Sequence, residues 1–342
     1  MRIDQFDRYV QYLFRFIKHS TVTKVANLIK IESRLLRNNP NIEGCFPHFL
    51  YVEISNKCNL FCPLCQMGLR QTVPRPNTMN LDNYSKIIEP LKDYLFQVFL
   101  YDWGEPFLNN SIYDIISYNT RNNIGSMVSS NLNIPIDAER LIESGLEYLI
   151  ISGDGVTQDV YSTYRKGGDI EKVFANLNSL IEVKRKKNTR YPIIEWQCLV
   201  MKHNERHLRD IKRTVLQKGV DRVRFANVNF YSTGDSTSLE QKWLPENRLY
   251  RSFASERSRK RRERGIRKPC FFLWRTGVVN VNGGVTPCCL YDVPDWGNAL
   301  DESFMTVWNN PLYREARLRS QNNQALKKQN IICDTCTAPF IY

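Results

Sequence analysis

The chain has 342 residues, 42% of them hydrophobic and 24% charged, with ten cysteines and four histidines. Length and composition place it among soluble globular proteins, with room for a main domain and a smaller one, and exclude a collagen-like or low-complexity chain. The formal net charge of +13 favours anionic partners such as phosphates, nucleic acid, a membrane surface or an acidic redox protein, without selecting among them.

The first 46 residues read as a helical cap. Phe6, Val10, Leu13 and Ile17 share one helical face, and a second pattern runs through Val25, Leu28, Leu35 and Leu36 before Pro40. Packing on the main domain is the expected role, and a basic amphipathic helix touching a membrane is the sharper reading. The most apolar early run, residues 9–17, is broken by Gln11 and Arg15 and lacks a small-residue cleavage site, so no secretory signal is read. No stretch reaches the roughly 18 uncharged apolar residues of a spanning helix. A cytoplasmic protein is expected, and there clustered Cys serve more often as metal ligands or reactive thiols than as disulfides.

Residues 47–230 alternate strand-like and helix-like runs. Strands are expected at 49–54, 97–101, 126–129, 148–151, 193–200 and 222–228, and helices at 81–94, 112–122, 138–144, 170–186 and 205–218. Repeated βαβ units imply an α/β protein with a parallel sheet and right-handed crossovers, here a partial (β/α)6 barrel. Reactive groups of such barrels gather on the loops after the strands. Four unusual segments fall in that register: Cys58-x3-Cys62-x2-Cys65, Trp103-Gly104-Glu105-Pro106, Ser130-Asn131 and Ser152-Gly153-Asp154-Gly155. Taken singly, the last three are ordinary turn sequences.

The cysteine triplet carries the chemistry. Three thiolates on one short loop hold three irons of a cuboidal cluster and leave the fourth iron open. A structural zinc site needs four closed ligands, and no further Cys or His follows within the next dozen residues.

Residues 231–268 break the pattern as a basic linker. Its run from Arg257 to Lys268 holds eight Lys or Arg and one Glu, which suits a solvated helix, or docking of an acidic electron donor or phosphorylated substrate. Residues 269–342 form a second cysteine region with Cys270, Cys288-Cys289 and Cys333-x2-Cys336. Between these, residues 277–287 read as a β-hairpin turning at Asn282-Gly283-Gly284, which brings Cys270 and Cys288 together. By themselves four such Cys also suit a zinc ribbon. Cys45 and Cys198 are expected to be buried and inert.

The cysteine loop after the first strand, Gly104-Glu105-Pro106 after the second and the Ser-x-Asp-Gly segment after the fourth together resemble the radical S-adenosylmethionine (SAM) superfamily over roughly residues 47–230. That resemblance implies catalytic [4Fe–4S] ligation by Cys58, Cys62 and Cys65, with SAM chelating the open iron. It also implies reductive cleavage to a 5′-deoxyadenosyl radical that abstracts a substrate hydrogen. SAM contacts carried over by position are Gly104, Glu105 and Pro106 at the methionine amino group, and Ser130 and Asn131 near the carboxylate or ribose. Asp154 belongs to the same site, Arg165 is a carboxylate binder, and Asn204 is a ribose candidate. Two departures are Trp103, where many relatives have Gly, and Leu64, where an aromatic residue is common; both leave the ligands intact.

Residues 268–338 resemble the auxiliary-cluster domains called SPASM and twitch. This implies a second, closed [4Fe–4S] cluster on Cys270, Cys288, Cys333 and Cys336, with Cys289 an alternative to Cys288. A closed cluster carries electrons, so dehydrogenation, epimerisation or oxidative bond formation is expected, with flavodoxin or ferredoxin as reducing partner. One auxiliary cluster resembles the aminocyclitol dehydrogenases and directs the expectation to a small carbohydrate-like metabolite, to which the basic charge adds an anionic option. The runner-up is a peptide or protein maturase. A non-catalytic metal-cluster protein that binds nucleic acid is a distant alternative.

Overall fold

The computed structural model describes residues 16–37, 39–69, 77–228, 230, 236–251, 270–289, 293–321 and 333. Six strands run parallel in sequence order: β1 (Phe49–Val52), β2 (Gln97–Phe99), β3 (Gly125–Ser130), β4 (Tyr148–Ser152), β5 (Ile193–Val200) and β6 (Arg222–Asn227). Their side chains alternate between two faces. Leu50, Val98, Val128, Leu149, Ile151, Ile194 and Trp196 join the large core under the helices. The alternate positions Phe49, Phe99, Met127, Tyr148 and Ile150 form a separate cluster on the other face, extended by Tyr51 and Tyr101. That second face is the inside of the partial barrel.

The intervening helices include α1 (Val22–Leu36), α2 (Gln66–Leu69), α3 (Leu81–Ile88), α4 (Ile112–Arg121), α5 (Ala138–Glu143), α6 (Gln158–Tyr164), α7 (Ile170–Lys186) and α8 (Leu208–Gln217). Asp169 caps α7 by accepting the Glu171 N–H at 3.0 Å, and Lys184, Arg185 and Lys186 sit at the negative end of its dipole. Helix α3 is shorter than the expected 81–94. Pro90 has no N–H to give the carbonyl of Lys86, so the helix ends at Ile88 and tightens into turns. Helix α8 starts three residues later than expected, because Asn204 folds back to accept the Met201 N–H at 2.8 Å.

The N-terminal segment caps the barrel floor. Phe16 stacks on Phe96 at 3.8 Å, Lys24 Nζ donates to the Asn123 carbonyl at 2.6 Å, and His19 Nε2 lies 2.8 Å from Glu147 Oε1. Phe96, Asn123 and Glu147 all stand just before their strands, so the opposite end, where the cysteine loop emerges, is left for the site.

Behind residue 230 lie α9 (Ser236–Trp243), α10 (Phe271–Arg275), β7 (Thr276–Val279), β8 (Val285–Thr286), α11 (Phe304–Trp308) and α12 (Pro311–Gln321). Strands β7 and β8 form the expected antiparallel hairpin, with Gly283 at φ +85° in its turn. The hairpin does not stand apart from the barrel. β7 pairs parallel with β1, from Phe49 opposite Thr276 to Val52 opposite Val279, giving an eight-stranded sheet in the order β6-β5-β4-β3-β2-β1-β7-β8. The open edge of β1 needs partners for its N–H and C=O groups, and β7 supplies them. Gly277 allows the fit, since a Cβ there would lie 2.5 Å from the Phe304 ring.

Candidate active site

The loop after β1 folds over its own cysteines. Cys65 N–H donates to the Cys62 carbonyl at 3.1 Å, Phe61 N–H to the Lys166 carbonyl at 2.9 Å, and α2 starts at the next residue after Cys65. Gly68 is required on α2 because a Cβ there would meet the Cys62 carbonyl at 2.2 Å. Leu60, Leu64, Tyr164, Met201, Val228 and Trp243 pack around the loop. Burial pushes the Cys62 thiol up to about 12 and raises Cys58 as well. Such thiols ionise readily only when cations take the place of their protons. The amide of Asn131 lies 3.9 Å from Cys58 Sγ and Arg165 Nη1 lies 3.8 Å from Cys62 Sγ, so donors are ready for sulfur charge.

All three thiols line one cavity of about 310 Å³ together with Gly104, Glu105, Ser130, Asn131 and Arg165. Glu105 is buried, with both carboxylate oxygens occupied. Oε1 accepts the Ser130 hydroxyl at 2.7 Å and the Phe107 N–H at 3.2 Å, and Oε2 accepts the Asn131 N–H at 2.8 Å. Burial raises its carboxyl, against these donors. Its side chain therefore fixes the β3 loop. Gly104 is needed for close approach, because a Cβ would stand 1.9 Å from the Ser55 carbonyl oxygen. Pro106 opens a 3-10 turn, Pro106–Leu108, where a missing N–H does no harm.

Asp154 and Asn204 are placed differently from the sequence expectation of direct SAM contact. Asp154 is fully buried outside the cavity lining; Oδ2 accepts Arg165 Nε at 2.7 Å and Oδ1 accepts the Leu199 N–H at 2.6 Å. Asn204 is equally buried, and its amide group donates to the carbonyls of Asp154 and Leu199, each at 2.9 Å. Both position others. Burial opposes the Arg165 charge, but Asp154 and Cys62 overcome it and hold the guanidinium ionised.

The second cysteine set reaches this cavity through Cys289. Cys270 precedes α10, Cys288 and Cys289 follow β8, and Cys289 lines the same cavity as the first triplet. Burial raises the Cys289 thiol, and neighbouring Asp102, Cys288 and Cys270 add to it. Burial raises the Tyr313 phenol against the lowering effect of Arg317, with Cys333 and Cys288 adding to the rise, and its hydroxyl donates to the Thr286 carbonyl at 2.9 Å, two residues before Cys288. Cys336 and residues 257–268 lie outside the described residues. Among the described residues no three Cys, His, Asp or Glu side chains converge as around a single ion; a cuboidal cluster holds its thiolates apart at separate corners. The donor set of soft sulfurs, Cys62 buried and the other described ones half-buried, fits iron–sulfur ligation. Cys45 and Cys198 are buried in the main core.

Sequence reasoning missed Trp243 and Asp102. Trp243 sits in the stretch taken as linker, yet packs edge-on to Tyr164 at 5.5 Å over the cysteine loop. Its signal was the apolar spacing of Leu239, Trp243 and Leu244. Asp102 lines the cavity two residues before Gly104, and only its register at the end of the second strand hinted at this.

The radical SAM superfamily model matches residues 52–196, and the SPASM iron–sulfur cluster-binding domain matches residues 270–337. The AdoMet-dependent heme synthase of Nitratidesulfovibrio vulgaris is 26% identical over 115 residues, 33% of this chain and 31% of that protein. The GTP 3′,8-cyclase of Listeria monocytogenes is 23% identical over 212 residues, 59% of this chain and 60% of that protein. The chain thus spans between about a third and three fifths of the length of these curated relatives. The structure of Streptococcus suis SuiB bound to precursor peptide SuiA superposes with a TM-score of 0.64 at 14% identity, covering 93% of this chain and 79% of that one. At that identity the likeness is one of fold.

Proposed function

From a chain that belongs to the radical SAM superfamily and carries a SPASM-type domain, we propose an enzyme that performs a redox modification, dehydrogenation or epimerisation, of a small carbohydrate- or aminocyclitol-like metabolite. The observation that supports this reading is one cavity touching both cysteine sets, Cys58, Cys62 and Cys65 together with Cys289.

When bound, a reduced [4Fe–4S] cluster on Cys58, Cys62 and Cys65 supplies the electron that splits SAM to the hydrogen-abstracting radical, and a second cluster on Cys270, Cys288, Cys333 and Cys336 supplies an electron acceptor. The chain's own residues do the rest. Arg165, held by Asp154 through Nε, offers its remaining donors to the SAM carboxylate. Gly104 lines the cavity, so its backbone is placed to meet the SAM ammonium. Leu60, Leu64, Tyr164, Leu199 and Val228 line the same space and keep water from the reacting carbon.

The substrate side is polar. Tyr101, Asp102, Ser129, Ser152 and Asn227 line the cavity. Burial pushes the Asp102 carboxyl well above its usual range, with Glu53 adding to it, which favours the neutral acid; that group can both donate to and accept from hydroxyl or amine groups, so a hydroxyl- or amine-bearing substrate is favoured.

The test is deuterium transfer. Amino sugars and aminocyclitols carrying carbon-bound deuterium are incubated with reconstituted protein, SAM and reductant, and label in 5′-deoxyadenosine is measured. Transfer from a member of this class supports the reading; transfer only from peptides moves the substrate to the maturase class.

A further inference from the structure

Helix α1 points an apolar stripe at solvent. Val22, Ile29 and Leu36 are 89%, 62% and 83% exposed, Val25 is 39% exposed, and Ile17 in the preceding turn is 61% exposed. At helical geometry Val22, Val25, Ile29 and Leu36 fall within an arc of about 60°. The opposite face is fixed inward by polar anchors as well as by Ile31 and Leu35. Asn27 donates to the Phe46 carbonyl at 2.8 Å and accepts the Phe46 N–H at 2.9 Å, while Lys24 reaches the Asn123 carbonyl. The helix cannot roll its stripe inward without breaking all three bonds.

Charge decides what the stripe meets. Exposed Lys30 and Arg37 border it. The one acid on α1, Glu32, has both oxygens occupied by Arg275 at 2.6 Å. The face is apolar and basic, on a chain of net charge +13. A second copy docked face to face about a two-fold axis would bring Lys30 and Arg37 against like charges. Lipid phosphates are complementary to them.

We propose that this face of α1 docks the protein on an anionic phospholipid surface, its apolar side chains entering the headgroup region and Lys30 and Arg37 meeting phosphates. Attachment is peripheral, since no described helix is long and apolar enough to cross a membrane.

Flotation of the full chain with phosphatidylcholine vesicles, with and without phosphatidylglycerol, tests this. Wild type should float with the phosphatidylglycerol vesicles and much less with phosphatidylcholine alone. Partition should fall on the order of tenfold in Val22→Ser/Val25→Ser/Ile29→Ser/Leu36→Ser and several-fold in Lys30→Glu/Arg37→Glu. The second variant decides the matter if the first fails to fold by circular dichroism. Failure of wild type to float, equal flotation of the variants, or a wild-type dimer that the serine variant dissociates in light scattering would each overturn the proposal.

Discussion

Arg165 donates from Nε to Asp154 Oδ2 at 2.7 Å while its Nη1 lies 3.8 Å from Cys62 Sγ. One cation therefore ties the loop after β4 to the first cysteine loop, 13% exposed on its own side and against a fully buried carboxylate. Asp154→Asn leaves that cation buried without its partner and should destabilise the protein by about 3–5 kcal/mol, read from anaerobic urea unfolding. Arg165→Lys keeps a charge but loses the fork, and should weaken SAM binding on the order of tenfold in equilibrium dialysis. Wild-type stability in Asp154→Asn would remove the pair from the site's support.

Gly104→Ala places a methyl 1.9 Å from the Ser55 carbonyl oxygen, a backbone atom that cannot step aside alone. The Gly104-Glu105-Pro106 loop must move, taking Glu105 off Ser130 and Asn131. SAM affinity should fall at least tenfold with a stability loss on the order of 2 kcal/mol. Calorimetric titration and a melt measured side by side check both numbers.

Trp243 is 3% exposed and covers the cysteine loop through Tyr164. Trp243→Ala should cost about 3–5 kcal/mol and open the loop to oxidants. The visible iron–sulfur absorbance of the variant should bleach faster in air than that of wild type. Equal bleaching would mean that α9 does not shield the site.

Glu53 is 6% exposed, and burial pushes its carboxyl up to about 7 against lowering by the N–H groups of Val281 and Trp103. The unfolded side chain titrates near 4.3, so between there and about pH 7 the folded state binds more protons than the unfolded one. Stability must fall as pH rises through that window, by on the order of 3 kcal/mol in total. Glu53→Gln should flatten the decline in unfolding measured from pH 4.5 to 8, leaving the variant the more stable protein at the upper end.

Local spacing made much of this legible. Cys58, Cys62 and Cys65 lie within eight residues, and the strands around Phe49, Met127, Ile150 and Trp196 announce themselves by composition and flanking turns. The bounds of β5 and α7 match the expected ones because each is a long, strongly patterned run. Pairings between distant segments were not legible. Nothing near Val279 says that it will lie beside Val52, and the two meet because β1 has an edge to satisfy. Asn204 and Asp154 stand at loop positions suited to ligand contact, yet Asn204 turns its amide to backbone carbonyls and Asp154 divides its oxygens between the Leu199 N–H and the Arg165 side chain, partners that only the folded chain reveals. Trp243 was hidden for the opposite reason, as one short amphipathic helix inside a basic, pattern-poor stretch.

The most direct measurement is 5′-deoxyadenosine formation. Protein reconstituted anaerobically with iron and sulfide is given SAM and dithionite, and the nucleoside is quantified by mass spectrometry beside Cys62→Ala. Wild type should form 5′-deoxyadenosine and Cys62→Ala should fall to background. No nucleoside from wild type shown to carry its cluster, or equal amounts from the variant, would contradict radical SAM chemistry at Cys58, Cys62 and Cys65.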